Sequence, residues 1–356
     1  MKNFTHKLPL IFAIVIGIII TCPSDLSAKK RYKKDFLYRE GRQLMLNGKP
    51  YQCVSFNSFQ LCGCGHDYEL FSDEEIDALF ASLPQNTIIR TWAFKAFSHK
   101  TDMLIRLAEK HKIKLILSLG DGRSSCGDHD GAPRGDNSGK IAEWYKNGYR
   151  KMYLPHVIEM VSRYKESPAI AMWEIINEPA DAPWYVIRDF LHEMAAIIKK
   201  HDPNHLVESG TFVGWAYEGY ENYKALHNSP HIDVGNLHEY DYDYQDSNMI
   251  ESPHFEPCLK AMYDLNKVLI VGEVGIESGN DCRTSRNKRV EAMKEKFDIY
   301  IGMGAGAVFV WNFAKDSRGC TLTFNQKDPL YQAILDHPIN QRQFYGSVIL
   351  IDAPPR

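Results

Sequence analysis

The sequence predicts an α/β protein, a (β/α)8 TIM barrel in a single domain, on three observations. Eight short, mostly apolar and often β-branched segments recur at 51–56, 87–92, 114–119, 171–175, 206–209, 234–238, 268–273 and 307–311. Between them the apolar residues fall at helical spacing. With 356 residues, 44% of them hydrophobic, the chain can fill one large core without a second domain. Strands that are apolar on both faces belong to a parallel sheet covered by helices. No antiparallel run interrupts the alternation, and eight β/α units close naturally into a barrel. An open doubly wound sheet is the alternative.

The intervening helices carry their own signals. Ser72 and Glu75 form a capping-box pattern, and Ile76, Leu79 and Phe80 mark one face. Leu104, Leu107 and Ala108 repeat that spacing, as do Val290, Met293 and Phe297, with Gly302 available as a C-cap. Further helices are expected at 151–164, 184–201 and about 255–265. The fifth strand and its helix carry the weakest signal. The run Gly302-Met303-Gly304-Ala305-Gly306 precedes a strand instead of following one, which argues against a nucleotide-binding loop. The one long irregular stretch, 120–140, follows the third strand and so belongs to the C-terminal face of the barrel.

Lys2, His6 and Lys7 precede an apolar run from Leu8 to Ile20, followed by Ser27-Ala28. A basic start, a short apolar stretch and a small residue at the cut are the parts of a secretory signal. The run is short for a membrane span. We read 1–28 as a signal peptide, 29–34 as a basic linker and 35–356 as the catalytic domain. An uncleaved anchor and a lipidated Cys22 are the rival forms of an exported, secreted or cell-envelope protein. A net charge of -3 gives no support to a nucleic-acid partner, and a monomer is expected.

Export permits disulfides. Cys282 and Cys320 follow the seventh and eighth strands, whose loops are neighbours, so they are expected to pair. Cys126 is expected to pair with Cys62 or Cys64. Cys53, inside a strand packed on both faces, should be a buried thiol, and Cys258 has no obvious partner. Cys62, Cys64 and His66 lack the spacing of a zinc site, so no metal is expected.

Catalysis in such a barrel sits at the C-terminal strand ends. Strand two ends in Arg90-Thr91-Trp92, and strand four runs through Trp173-Glu174-Ile175-Ile176 into Asn177-Glu178-Pro179. Strand six ends in His238-Glu239-Tyr240, strand seven in Glu273 and strand eight in Trp311-Asn312. Hydrolysis of a glycosidic bond needs one carboxylic acid to protonate the leaving oxygen and one carboxylate to attack or stabilise the sugar carbon. Glu178 and Glu273, from strands four and seven, face each other across the mouth. Arg90 would keep one ionised, and burial against Trp173 or Trp311 would raise the other. Glu174, within its strand, reads as a structural hydrogen-bonding residue. Each residue alone has a packing explanation; their placement on one face does not.

Trp173 to Pro179 resembles the acid/base signature of glycoside hydrolase family 5, and the order of the other strand-end residues matches that family from about Asn47 to Trp311. The resemblance implies Glu178 as acid/base and Glu273 as nucleophile of a retaining mechanism, without cofactor. It implies Asn177 on the sugar 2-hydroxyl, Tyr240 and Arg90 on the nucleophile, His238 beside the acid/base, and Trp311 as sugar platform. Asn57 and Trp92 complete the expected substrate-binding set. The segments Asn47-Gly48-Lys49-Pro50-Tyr51, Val54-Ser55-Phe56-Asn57-Ser58-Phe59 and Ile89-Arg90-Thr91-Trp92-Ala93-Phe94 resemble the β-mannanase members. The loop Gly120-Asp121-Gly122-Arg123-Ser124-Ser125-Cys126 departs from their pattern and leaves the glycan open. β-1,4-Mannan is favoured, a β-glucan is the runner-up, and an inactive glycan-binding barrel is the reading of another class.

Overall fold

The computed structural model describes residues 32–63, 69–123, 139–244, 246 and 248–345. The barrel unit runs from Lys33 onward. Its chain opens with three short strands, β1 (Leu37–Glu40), β2 (Gln43–Leu46) and β3 (Lys49–Tyr51). Eight strands then follow, β4 (Cys53–Asn57), β5 (Ile88–Trp92), β6 (Lys114–Ser118), β7 (Ile170–Glu174), β8 (Leu206–Glu208), β9 (Val234–Glu239), β10 (Val268–Val274) and β11 (Ala307–Val310). Those eight close into a barrel in the order β10-β11-β4-β5-β6-β7-β8-β9, every neighbour parallel. The expected (β/α)8 barrel is the fold.

Two expectations need correction. The alternation does not begin at once, because β1, β2 and β3 form an antiparallel sheet. Its strands are too short to show a period. The one local signal was Asn47-Gly48, whose positive φ values of 50° and 78° make the two-residue turn that joins β2 to β3. This sheet closes the base of the barrel, where Leu37, Leu44, Leu46 and Tyr51 pack against the inward residues Ile88, Ile116, Met172, Val268 and Phe309. The second correction concerns the helix Arg286–Met303, whose C-cap is Gly304, with φ of 114°, and not Gly302. The helix is thus two residues longer than expected, ending where Gly304 takes the left-handed conformation and its N–H reaches Tyr300 O and Ile301 O.

The remaining helices follow the patterning. Ser72 caps Asp73–Ser82 through the reciprocal capping box with Glu75. Ser98–His111, Tyr153–Tyr164, Trp184–His201 and Phe255–Asp264 occupy the expected places. The weakly signalled fifth unit has a three-residue strand and a short helix, Tyr220–His227.

Candidate active site

Side chains alternate across each strand, so residues two apart share the barrel interior. Reading inward positions upward from the apolar base gives Ile88 then Arg90, Met172 then Glu174, Leu206 then Glu208, and Val234 then Asn236 and His238. The base is thus oil and the top is charge. At its centre Arg90 is fully buried, and all five of its N–H groups are used. Nε donates to Glu174, Nη2 to Glu174 Oε1 and Asn177 Oδ1 at 2.7 Å each, and Nη1 to Asn57 Oδ1 at 2.8 Å and Glu273 Oε1 at 2.7 Å. The Tyr240 hydroxyl donates to the other oxygen of Glu273 at 2.7 Å.

Asn177 and Glu178 stand just beyond β7, and backbone contacts on both sides hold them. Asn177 N–H donates to Gly120 O at 2.8 Å, Gly122 N–H to Asn177 O at 2.6 Å, and Glu178 N–H to Gly210 O at 2.8 Å. The grip leaves no room for a Cβ. One placed on Gly122 would lie 2.5 Å from Glu178 O, and one on Gly210 would lie 2.0 Å from Ile176 O. Glu178 itself has φ of 48°, a costly conformation for a residue other than glycine. One oxygen each of Glu178 and Glu273 and one ring nitrogen of His238 lie within 4.8 Å of one another.

Electrostatics distinguish the carboxyls. Burial raises Glu174, but the Arg90 charge overrides it and holds that carboxylate down at about 2. Burial and the charge of Glu174 drive Glu208 well above the usual range, so it keeps its proton and donates it to Glu174. Burial pushes Glu178 up to about 7, against the pull of Arg123 and Arg90. Burial also raises Glu273, with His238, Arg90 and the Tyr240 hydrogen bond opposing the rise. Among the described residues Glu273 thus has two strong donors, whereas Glu178 receives one.

That one donor is His238, and its proton can be placed. Gly272 N–H donates to Asn236 Oδ1 at 2.8 Å, which turns Nδ2 toward His238 Nε2 at 3.4 Å. Burial holds the imidazole neutral, down to about 4. Nε2 thus accepts, and Nδ1–H donates to Glu178 Oε1 at 2.8 Å. The proton of Glu178 is left to Oε2. His238, Glu178 and Glu273 offer metal-ligating atoms, but the guanidinium 2.7 Å from Glu273 opposes a cation there.

The structure therefore brings together Glu178, Glu273, Arg90, Asn177, His238 and Tyr240. Asn57 lies behind Arg90, fully enclosed, and donates to Gly272 O at 3.0 Å. Trp92 is buried beneath Trp311, ring centroids 5.8 Å apart, and Trp311 is part exposed beside Phe59. Trp173 does not touch the glutamates, contrary to expectation. It is an outward residue of β7, its Nε1 donating to Asp202 Oδ2 at 2.7 Å, so the burial that raises Glu178 comes from elsewhere. Sequence reasoning missed Glu208 and Asn236, although both share an inward face with an apolar residue two positions earlier. It missed Asp121, which accepts from Asn177 Nδ2 at 3.1 Å and had no strand to mark it.

Cys282 and Cys320 are disulfide-bonded, with Cα atoms 5.0 Å apart. Cys53 and Cys258 are buried thiols, as expected for Cys53. Cys62 is also a thiol, 3.9 Å from the Thr101 hydroxyl, which removes it as partner for Cys126. Cys64, His66 and Cys126 lie outside the described residues.

Comparison with known proteins agrees with this geometry. Residues 130–286 match the model of the glycoside hydrolase family 5 β-mannosidase-like proteins. Mannan endo-1,4-β-mannosidase 3 of Arabidopsis thaliana is 28% identical, over 90% of this chain and 91% of its own. A family 5 mannosidase from Rhizomucor miehei superposes with a TM-score of 0.70 at 16% identity, covering 88% of this chain and 99% of its own. An endo-1,4-β-mannanase from the same fungus gives 0.65 at 20% identity, covering 85% and 98%. A relative matched along nine-tenths of both chains, a family model over residues 130–286 and the same barrel converge on the mannanase-like glycoside hydrolases of family 5 as the proteins this chain is similar to.

Proposed function

We propose that the chain is an exported, retaining hydrolase of β-1,4-linked glycan, endo-β-1,4-mannosidase-like, with Glu178 as acid/base and Glu273 as nucleophile. The observation that carries this reading is the pair itself. Their nearest ligand atoms lie within 4.8 Å, and retaining enzymes place the two carboxyls about 5–5.5 Å apart against about 6.5–9.5 Å in inverting ones. Export rests on the basic start and the apolar run from Leu8 to Ile20. Among the described residues no helix is long and apolar enough to cross a membrane.

The environments support the following division of steps. Glu273, held by Arg90 and Tyr240, attacks the anomeric carbon as Glu178 Oε2 gives its proton to the departing oxygen. Once Glu273 is esterified its negative charge is gone, which favours ionisation of Glu178. Glu178 then takes a proton from water as that water attacks the same carbon, and Glu273 leaves as carboxylate. Asn177, fixed by Arg90 and Asp121, faces the 2-hydroxyl, and Trp311 supplies a flat apolar surface for a sugar ring.

The test is a reducing-sugar screen over mannan, glucomannan, cellulose and mixed-linkage glucan, with proton NMR of the first product anomer. Mannan cleavage giving the β-anomer first is expected. The α-anomer first would overturn retention, and cleavage of cellulose alone would overturn the mannan assignment.

A further inference from the structure

Below the reacting pair, at the level where polar residues begin, β7 and β8 bring two glutamates side by side. Glu174 and Glu208 are register partners in these parallel strands, and both are fully buried. No step of the proposed hydrolysis uses Glu208, yet it stands where the supports of both reacting carboxyls meet. Glu208 Oε2 accepts from Gly210 N–H at 2.6 Å, and Gly210 O in turn accepts from Glu178 N–H at 2.8 Å. On its other side is Glu174, whose two oxygens hold Arg90, and Arg90 Nη1 holds Glu273 at 2.7 Å. One chain of contacts thus runs from the acid/base to the nucleophile through Glu208.

Charge decides the form in which Glu208 does this. The one positive charge of Arg90 already faces two carboxylates, Glu174 and Glu273. All five guanidinium N–H groups are engaged by other residues, so none reaches Glu208. A third ionised carboxyl, fully buried and against Glu174, would set two like charges together in a dry interior. Two carboxyls so placed share one proton. Glu174 takes the guanidinium and Glu208 takes the proton, in keeping with the direction in which burial and the Glu174 charge move it. Asn236 Nδ2, 3.4 Å from Glu208 Oε1, is its neutral neighbour from β9. A neutral Glu208 has what its place requires, an O–H to give to Glu174 and a lone pair for Gly210 N–H.

We infer that Glu208 is a positioning residue for the proposed hydrolysis, working as a neutral carboxylic acid that fixes both reacting carboxyls at once. Its O–H partly offsets the charge of Glu174, which leaves more of the Arg90 charge to hold Glu273 ionised. Its other oxygen fixes Gly210, and through Gly210 the main chain of Glu178. This rests on the roles proposed for Glu178 and Glu273.

The experiment compares Glu208→Gln and Glu208→Met with the unsubstituted chain on the aryl β-glycosides of mannobiose and cellobiose, as pH profiles of kcat and KM. Glutamine keeps an N–H for Glu174 and an oxygen for Gly210, whereas methionine, of similar length, keeps neither. Glu208→Gln should hold kcat within about threefold and leave the acidic limb in place. Glu208→Met should lose kcat about 30-fold with KM nearly unchanged. Its acidic limb should move upward in pH, because Glu174 then competes harder for Arg90 and Glu273 is less well held as a carboxylate. Infrared difference spectra of the unsubstituted chain against Glu208→Gln at neutral pH should show the carbonyl stretch of a protonated carboxyl, lost in the variant. A loss in Glu208→Gln as deep as in Glu208→Met, an unmoved acidic limb in Glu208→Met, or the absence of that infrared band overturns the inference. Should Glu208→Met fail to fold, Glu208→Asp, whose carboxyl is drawn back by one methylene, takes its place with the same expected losses. An unsubstituted chain that cleaves neither substrate overturns the catalytic reading and with it the positioning role, and the infrared band alone then decides whether Glu208 holds the proton.

Discussion

Replacing Arg90 by lysine tests the central claim about this site, that one buried guanidinium holds both a structural and a reacting carboxylate. Arg90 makes five hydrogen bonds from five N–H groups, to Glu174 twice and to Asn57, Asn177 and Glu273. Lysine has three donors on a single nitrogen, so at least two of those bonds are lost without water to replace them. A hydrogen bond to a charged group contributes about 1.5–3 kcal/mol, which puts the destabilisation at ~3–6 kcal/mol. That agrees with the about 3–5 kcal/mol for breaking a buried ion pair. The nucleophile also loses part of what opposes its burial, so the acidic limb of activity should move upward in pH. If about 2.7 kcal/mol of this is felt in the transition state, kcat/KM falls about 100-fold. Urea denaturation and a pH profile on an activated aryl β-glycoside measure the two effects separately. A variant with the unsubstituted denaturation midpoint and kcat/KM within threefold would refute the reasoning.

Glu178 must be protonated and Glu273 ionised in the first step, so kcat/KM should fall as pH rises through about 7, where burial has pushed Glu178. Glu178→Ala should lose that basic limb, keep partial activity on aryl glycosides whose leaving group needs no proton, and be rescued by azide; a limb that persists in this variant counts against the assignment. Opening the Cys282–Cys320 bond, which closes 38 residues, should cost about 4 kcal/mol by chain entropy, read as a lower thermal midpoint of Cys282→Ser/Cys320→Ser. Gly210→Ala places a Cβ 2.0 Å from Ile176 O at a φ of +70°, so it should displace the Asn177-Glu178 segment and reduce kcat at least tenfold. Normal kcat there would mean that the segment is not held by that contact.

The barrel strands were legible because burial on both faces makes each of them a short apolar run. Residues that end such runs in polar character, Arg90, Glu178, His238, Tyr240 and Glu273, were legible for the same reason. The sheet under the barrel was not, since strands of four, four and three residues carry no period, and only Asn47-Gly48 marked it. Glu208 and Asn236 were hidden inside apolar segments. Their inward position is a matter of strand parity, which is known only once the register of each strand is known.

By itself the sequence determined the order of elements, the face that carries chemistry and the candidate pair of carboxyls. These depend on patterns within a strand or helix, where neighbours in sequence are neighbours in space. Tertiary structure alone decided that Glu208 holds a proton and Glu174 does not, although both lie at the same height in the barrel. It also decided that Trp173 faces outward and that His238 donates from Nδ1. Each of those outcomes is set by charges and hydrogen bonds arriving from other strands, and in a dry interior such partners outweigh the intrinsic preference of the residue.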